Sequence, residues 1–311
     1  MSIDPSSVNE AKVFQHLDVE WDKDESTLWC YMTPRPRPCF NPQLLSELNG
    51  LKSKLHHFGL TEADLHEVPS FAVFASRIPG VFNLGGDLGL FRKLIDARDR
   101  RGIEAYARAC IDAVHKVSIG YDLPLTTISL VQGTALGGGM EGALAANVIV
   151  AERGVQMGLP EVMFNLFPGM GAFSFLSRRL GAREAERVIL SGKTWLAEEL
   201  HELGMIDILA EPTQGAATVR DYIADRQRRS PNAVMAMQRV RKTVDPVTYE
   251  ELEEIALIWV DAALKLRDRD LRIMDRLVRS QNRVSARQDL ISENSRGDRQ
   301  ISYARPAYVA H

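Results

Sequence analysis

The stretch Thr126-Thr127-Ile128-Ser129-Leu130-Val131-Gln132-Gly133-Thr134-Ala135-Leu136-Gly137-Gly138-Gly139-Met140-Glu141 decides the fold. Five of its first six residues are apolar or β-branched, and Gln132-Gly133 follows them, which predicts a buried strand. Gly137–Gly139 is a turn feeding a short small-residue helix, Met140–Ala146. Asn147-Val148-Ile149-Val150-Ala151 then reads as a further strand. Working towards the N-terminus, Phe71–Ser76 is a buried-type strand that leads to Phe82-Asn83-Leu84-Gly85-Gly86-Asp87. Helices follow at about Leu88–Ala97 and Gly102–Val117. In the second, Ile103, Tyr106, Ala107, Cys110, Ile111 and Val114 recur at helical spacing. The middle third alternates strand, glycine turn and helix, as a layered α/β core does.

Further out, Thr27–Met32 predicts a strand, stopped by Pro34-Arg35-Pro36-Arg37-Pro38, because proline donates no ladder hydrogen bond. That proline run reads as a stiff surface loop or, less favoured, a PxxP-like partner ligand. Asn41-Pro42 opens a helix expected to reach about Phe58. From about Ala182 the pattern is almost all helical, with helices opening at Pro231 and covering Tyr249–Leu266 and Leu271–Val278. The expected division is an N-terminal extension at 1–26, an α/β core at 27–210, a helical region at 211–284 and a flexible tail at 285–311.

Hydrophobic residues make up 45% of the 311, enough for a sizeable core. The formal net charge of −3 gives no sign of nucleic-acid binding or of attraction to anionic membranes. Cys30, Cys39 and Cys110 are too few and too irregularly spaced for a disulfide framework or a thiolate zinc site. The start lacks a basic segment followed by an apolar run, and no apolar stretch is long enough to span a bilayer. A cytoplasmic protein without membrane insertion is expected.

Gly137-Gly138-Gly139-Met140-Glu141-Gly142 satisfies G-x-G-x-x-G formally. Against a dinucleotide site stand the residues Gln132–Leu136 between strand and glycines, the short helix, and Glu152 arriving too soon after the last glycine. Gly192-Lys193-Thr194 lacks the upstream glycine of a P-loop. His56, His57, His66, His115 and His201 share no metal spacing, so no metal site is expected. Gly171-Ala172-Phe173-Ser174-Phe175 lacks the last glycine of a nucleophile elbow.

Two glutamates remain: Glu141, after the glycine run, and Glu161, in Leu159-Pro160-Glu161-Val162. Taken singly, each has an ordinary reading, as a helix-start acid and as a surface acid. Yet both stand among apolar residues, where desolvation raises a carboxyl pKa towards neutrality and suits it to proton transfer. A glycine turn at a helix N-terminus presents unpaired N–H groups to a developing negative charge. One such donor is typically worth about 3 kcal/mol of barrier. Gly85-Gly86 offers a second donor.

These words resemble the crotonase (enoyl-CoA hydratase/isomerase) superfamily over about residues 65–210. The carriers are Phe82–Asp87, Gln132–Glu141, and Leu159-Pro160-Glu161 through Pro168-Gly169-Met170-Gly171. Val81–Leu88, Asn165–Gly171, Ile258-Trp259-Val260 and Leu271–Arg279 are similar to one branch, the diffusible signal factor (DSF) synthases, from which this chain departs in carrying Met140 where the branch has a phenylalanine. The resemblance implies a spiral of repeated ββα units with a C-terminal helical region. It implies catalysis by Glu141 and Glu161, oxyanion-hole amides at Gly86 and Gly138, and substrate contacts at Gly85, Gly137, Met170 and Trp259. No cofactor is implied beyond the phosphopantetheine thioester that carries the substrate. The implied reaction is dehydration of a 3-hydroxyacyl thioester to a cis-2-enoyl thioester, then hydrolysis to a free acid that serves as a quorum-sensing signal. Implied partners are acyl carrier protein or CoA, a regulatory sensor protein, and further copies of the chain in a homo-oligomer, commonly a trimer. The alternatives are a hydratase or isomerase without the hydrolytic step, and a catalytically idle binding protein.

Overall fold

The computed structural model describes residues 13–58, 69–229, 231–277 and 279. His66, Val278, the first residues and the expected tail lie outside them. Among the described residues, ten strands form two sheets. The larger has the order β1 (Leu17–Asp22), β2 (Thr27–Met32), β3 (Phe71–Ser76), β5 (Thr126–Val131), β7 (Val148–Glu152), β10 (Ile208–Ala210). The smaller has the order β4 (Val81–Asn83), β6 (Thr134–Leu136), β8 (Gln156–Gly158), β9 (Thr194–Leu196).

From β3 the chain repeats one unit three times. A strand enters the large sheet, a three-residue strand enters the small one, and helix follows. β3 and β4 precede α2 (Leu88–Asp96) and α3 (Arg100–Ser118), with α1 (Pro42–Asn49) upstream. β5 and β6 precede α4 (Gly138–Leu144). β7 and β8 precede a 3₁₀ turn, Pro160–Phe164, then α5 (Ala172–Leu180) and α6 (Ala182–Ser191). The pairings β3–β5, β5–β7, β4–β6 and β6–β8 are parallel. The expected spiral of ββα units with a helical C-terminal region is therefore present. The last helices are α7 (Ala197–Glu202), α8 (Gly215–Arg229), α9 (Pro231–Val244) and α10 (Tyr249–Ala263); residues 268–277 are also helical.

Parallel strands with both faces covered read as continuous apolar runs. That is why β3, β5 and β7 were legible: β5 and β7 are buried throughout and β3 in five of its six positions. One face meets the main core, and the other, with Trp29, Val73, Ile128 and Val150, is sealed by Val219 and Ile223 of α8.

Three local expectations change. Leu17–Asp22, ahead of the first expected strand, pairs antiparallel with β2. The helix expected to reach Phe58 stops at Gly50, whose N–H closes on Ser46 O, and a 3₁₀ turn spans Lys52–Phe58. The region beyond Ala182 contains β9 and β10 as well as helices.

Candidate active site

The first glycine turn follows β4. Gly85 has φ +95, a left-handed conformation that glycine adopts without Cβ strain. Its N–H donates to the fully buried Asn83 Oδ1 at 2.8 Å. Its carbonyl accepts from Phe40 N at 2.8 Å. In a trans peptide the N–H points opposite to the C=O. The Gly86 N–H therefore points away from Phe40, and it has no protein partner among the described residues. Asp87 caps α2 through its carboxylate, which accepts from Leu90 N at 3.1 Å and from Arg37 at 2.5 Å.

The second turn opens α4. Gly137 has φ +53, and its carbonyl accepts from Glu141 N at 3.0 Å, the first bond of the helix. By the same trans geometry the Gly138 N–H points back out of the helix N-terminus, where no intrahelical acceptor exists. The two turns touch. A methyl group built on Gly138 would lie 3.4 Å from Gly86 N, and one on Gly85 would lie 3.1 Å from Gly138 N. Two N–H groups from separate repeats thus border one gap.

Both glutamates border it too. Glu141, in the first turn of α4, is 2% exposed. Its Oε1 accepts from Met170 N at 2.6 Å and from Ala172 N at 3.1 Å, at the start of α5. Glu161 rides on the 3₁₀ turn after Pro160. Its Oε1 would sit 2.5 Å from a methyl group on Gly137, so glycine is required there for space as well as for φ. Its Oε2 is shielded from solvent without a hydrogen-bond partner. Burial pushes the Glu141 carboxyl above the usual carboxylate range, against the pull of its two backbone N–H bonds. Burial also raises Glu161, and the neighbouring Glu141 charge adds to it. Neighbouring carboxyls of this kind share protons and titrate as a pair.

Two cavities meet at Gly86, Gly138 and Glu161. One adds Phe91, Tyr106, Ala107, Cys110, Glu141 and Trp259 to its walls. The other adds Val81, Thr134, Pro160 and Leu277. Trp259 stacks on Phe91 with ring centroids 4.7 Å apart, and a side chain at Gly169 would strike its indole.

The structure brings together all eight site residues expected from sequence: Glu141, Glu161, Gly85, Gly86, Gly137, Gly138, Met170 and Trp259. Met170 does more than line the cavity, since its N–H holds Glu141. Reading the sequence missed Asn83, Tyr106 and Phe40. Asn83 stands inside a quoted motif, so its side-chain acceptor two residues before a glycine was an available signal. Tyr106 was counted only as part of an apolar helix face. The histidines stay apart from the site: His115 packs edge-on against Tyr249 and His201 bonds Ile206 O. Among the described residues no three His, Cys, Asp or Glu converge to hold a metal ion, and no helix is long and apolar enough to cross a membrane.

Comparison with known proteins bears on the family and the fold. The family model for enoyl-CoA hydratase/isomerase matches residues 62–282. The chain belongs to that family. A peroxisomal fatty acid beta-oxidation multifunctional protein of Arabidopsis thaliana is 32% identical over 146 residues, 47% of this chain and 20% of that protein. The fatty acid oxidation complex subunit alpha of Pseudomonas syringae is 39% identical over 102 residues, 33% of this chain and 14% of that protein. The matched stretches thus span a fifth or less of these curated relatives. Among solved structures, an enoyl-CoA hydratase of Bacillus halodurans superposes with TM-score 0.70 at 18% identity, covering 85% of this chain and 99% of that one. DspI of Pseudomonas aeruginosa gives 0.62 at 24% identity, covering 82% and 91%. At these identities the structural likeness shows the fold.

Proposed function

We propose that this chain is a DSF synthase-like enzyme that dehydrates a 3-hydroxyacyl thioester and then hydrolyses the product to a free 2-enoic acid. The observation that carries the reading is the convergence of two outward N–H groups and two buried carboxyls on one gap. The acyl chain occupies the apolar cavity walled by Phe91 and Trp259, and the thioester arm the one walled by Pro160 and Leu277. The thioester oxygen sits between the Gly86 and Gly138 N–H groups, which stabilise the enolate. The glutamate pair accepts the C2 proton and donates a proton to the C3 hydroxyl. The C3–O bond breaks, water leaves and the C2–C3 double bond forms.

In the second step a water gives its proton to the pair and attacks C1. The C1–S bond breaks and the departing sulfur takes the proton. Support for this step comes from the branch resemblance at 81–88, 165–171 and 271–279, and from the partnerless Glu161 Oε2, which is able to hold a water. The same resemblance supports a cis product, acyl carrier protein as carrier, a homo-oligomer and a regulatory sensor protein as partner.

The test is incubation with 3-hydroxyacyl-acyl carrier protein, and in parallel with the CoA thioester, followed by mass spectrometry of free fatty acids. A free 2-enoic acid is the expected product. A product that stays a thioester would reduce the function to hydration and dehydration alone.

A further inference from the structure

The proline-containing run at 34–38 has no role in the chemistry above, yet it ends against the first glycine turn. Leu84 N donates to Pro38 O at 2.7 Å, and Phe40 N donates to Gly85 O at 2.8 Å. Phe40 and Gly86 form an isolated parallel bridge. Arg37 pairs with Asp87 on the far side of the same turn. This strap therefore grips residues 84, 85 and 87 and leaves the Gly86 N–H pointing the other way.

Tyr106 of α3 ties strap and turn together. Its hydroxyl donates to Phe40 O at 2.8 Å and accepts from Asp87 N at 2.7 Å. The residue is buried, and a methyl group on Gly86 would lie 3.1 Å from the same oxygen. The hydroxyl thus fixes the peptide after Gly86, while Phe40 fixes the peptide before it. A peptide held through its carbonyl by a donor is also a stronger N–H donor at its other end.

We propose that Tyr106, acting with the 37–40 strap, is a positioning residue that aims the Gly86 N–H at the substrate's thioester oxygen. The proposal rests on the reading of Gly86 as an oxyanion donor. Tyr106 itself moves no proton. Because the Gly86 bond strengthens as charge builds on the oxygen, misaiming it lowers kcat and leaves KM nearly unchanged.

The test is Tyr106→Phe in the full chain, with steady-state hydration of a 2-enoyl thioester and infrared spectra of a bound, carbonyl-¹³C-labelled acyl thioester. In the unsubstituted protein the carbonyl band moves to lower frequency on binding. In Tyr106→Phe that shift shrinks, kcat falls about tenfold and KM stays within about twofold, the pattern of a donor lost in the transition state. Arg37→Gln, altered at the partly exposed end of the clamp, gives a smaller change in the same direction, and it decides alone should Tyr106→Phe not fold. Unchanged band and kcat in a folded Tyr106→Phe would overturn the proposal. A carbonyl band that does not move even in the unsubstituted protein would overturn the oxyanion reading itself, and the proposal with it.

Discussion

In the proposed mechanism the two glycine turns do the same work by different means. Gly138 is aimed by its own helix, because the bond from Glu141 N to Gly137 O sets the peptide plane within one turn of α4. Gly86 is aimed by strangers, with Pro38, Phe40 and Tyr106 each holding a neighbour of its peptide. One donor is specified locally and the other by tertiary contact. Both carboxyls attach to the local side: Glu141 lies in α4, and Glu161 presses on Gly137. In the mechanism proposed above, proton transfer then belongs to the second turn, and the first is a passive electrostatic partner.

The largest expected effect tests that assignment. Glu141→Gln and Glu161→Gln should each lower turnover by about 10²–10⁴-fold with the fold retained, as measured by steady-state kinetics beside circular dichroism. Near-normal turnover in either variant would remove that carboxyl from the chemistry. Next comes Gly137→Ala. Its methyl group would meet Glu161 Oε1 at 2.5 Å and occupy a φ of +53, so a loss of roughly 100-fold in kcat is expected from displacement of one carboxyl. A smaller effect belongs to the first turn. Asn83→Ala leaves Gly85 N without its buried acceptor and should cost about 1–3 kcal/mol in denaturant unfolding, with about a tenfold fall in kcat. A loss there as large as that from the glutamates would erase the contrast between the turns.

The smallest effect is on stability. Glu161 has its carboxyl raised in the folded state, so the native protein holds a proton that the unfolded chain gives up as pH rises above the ordinary value of 4.5. The native state then binds more protons, and stability falls as pH rises towards the folded-state value. Glu161→Gln lacks this loss. Thermal unfolding should show the variant gaining on the unsubstituted protein between about pH 5 and about pH 8. A constant difference across that range would mean that burial leaves Glu161 unperturbed.

The same contrast explains what the sequence made legible. β3, β5 and β7 announce themselves as apolar runs, and the glycines of the second turn sit in line with their strand and helix. β4, β6, β8, β9 and β10 have at most three residues each, too short for any period to register. The two glutamates, four glycines, Met170 and Trp259 were readable because their words are distinctive. Tyr106 was not, since a tyrosine on an apolar helix face is indistinguishable from core until the strand-end turn and strap dock on its hydroxyl. Nothing near Phe40 in the chain announces that its amide grips Gly85.

The strap's bonds also bear on the order of folding. Tyr106 reaches Phe40 across 66 residues and Asp87 across 19, whereas the bond from Glu141 N to Gly137 O lies within the first turn of α4. Distant contacts carry a larger loop-closure entropy and form later than local ones. On refolding from denaturant, the Glu141 N to Gly137 O bond is therefore expected to form with α4 while the first turn waits for the strap. Far-ultraviolet dichroism should recover ahead of turnover, so that for a time the chain is helical and collapsed without the bonds that hold the Gly86 peptide.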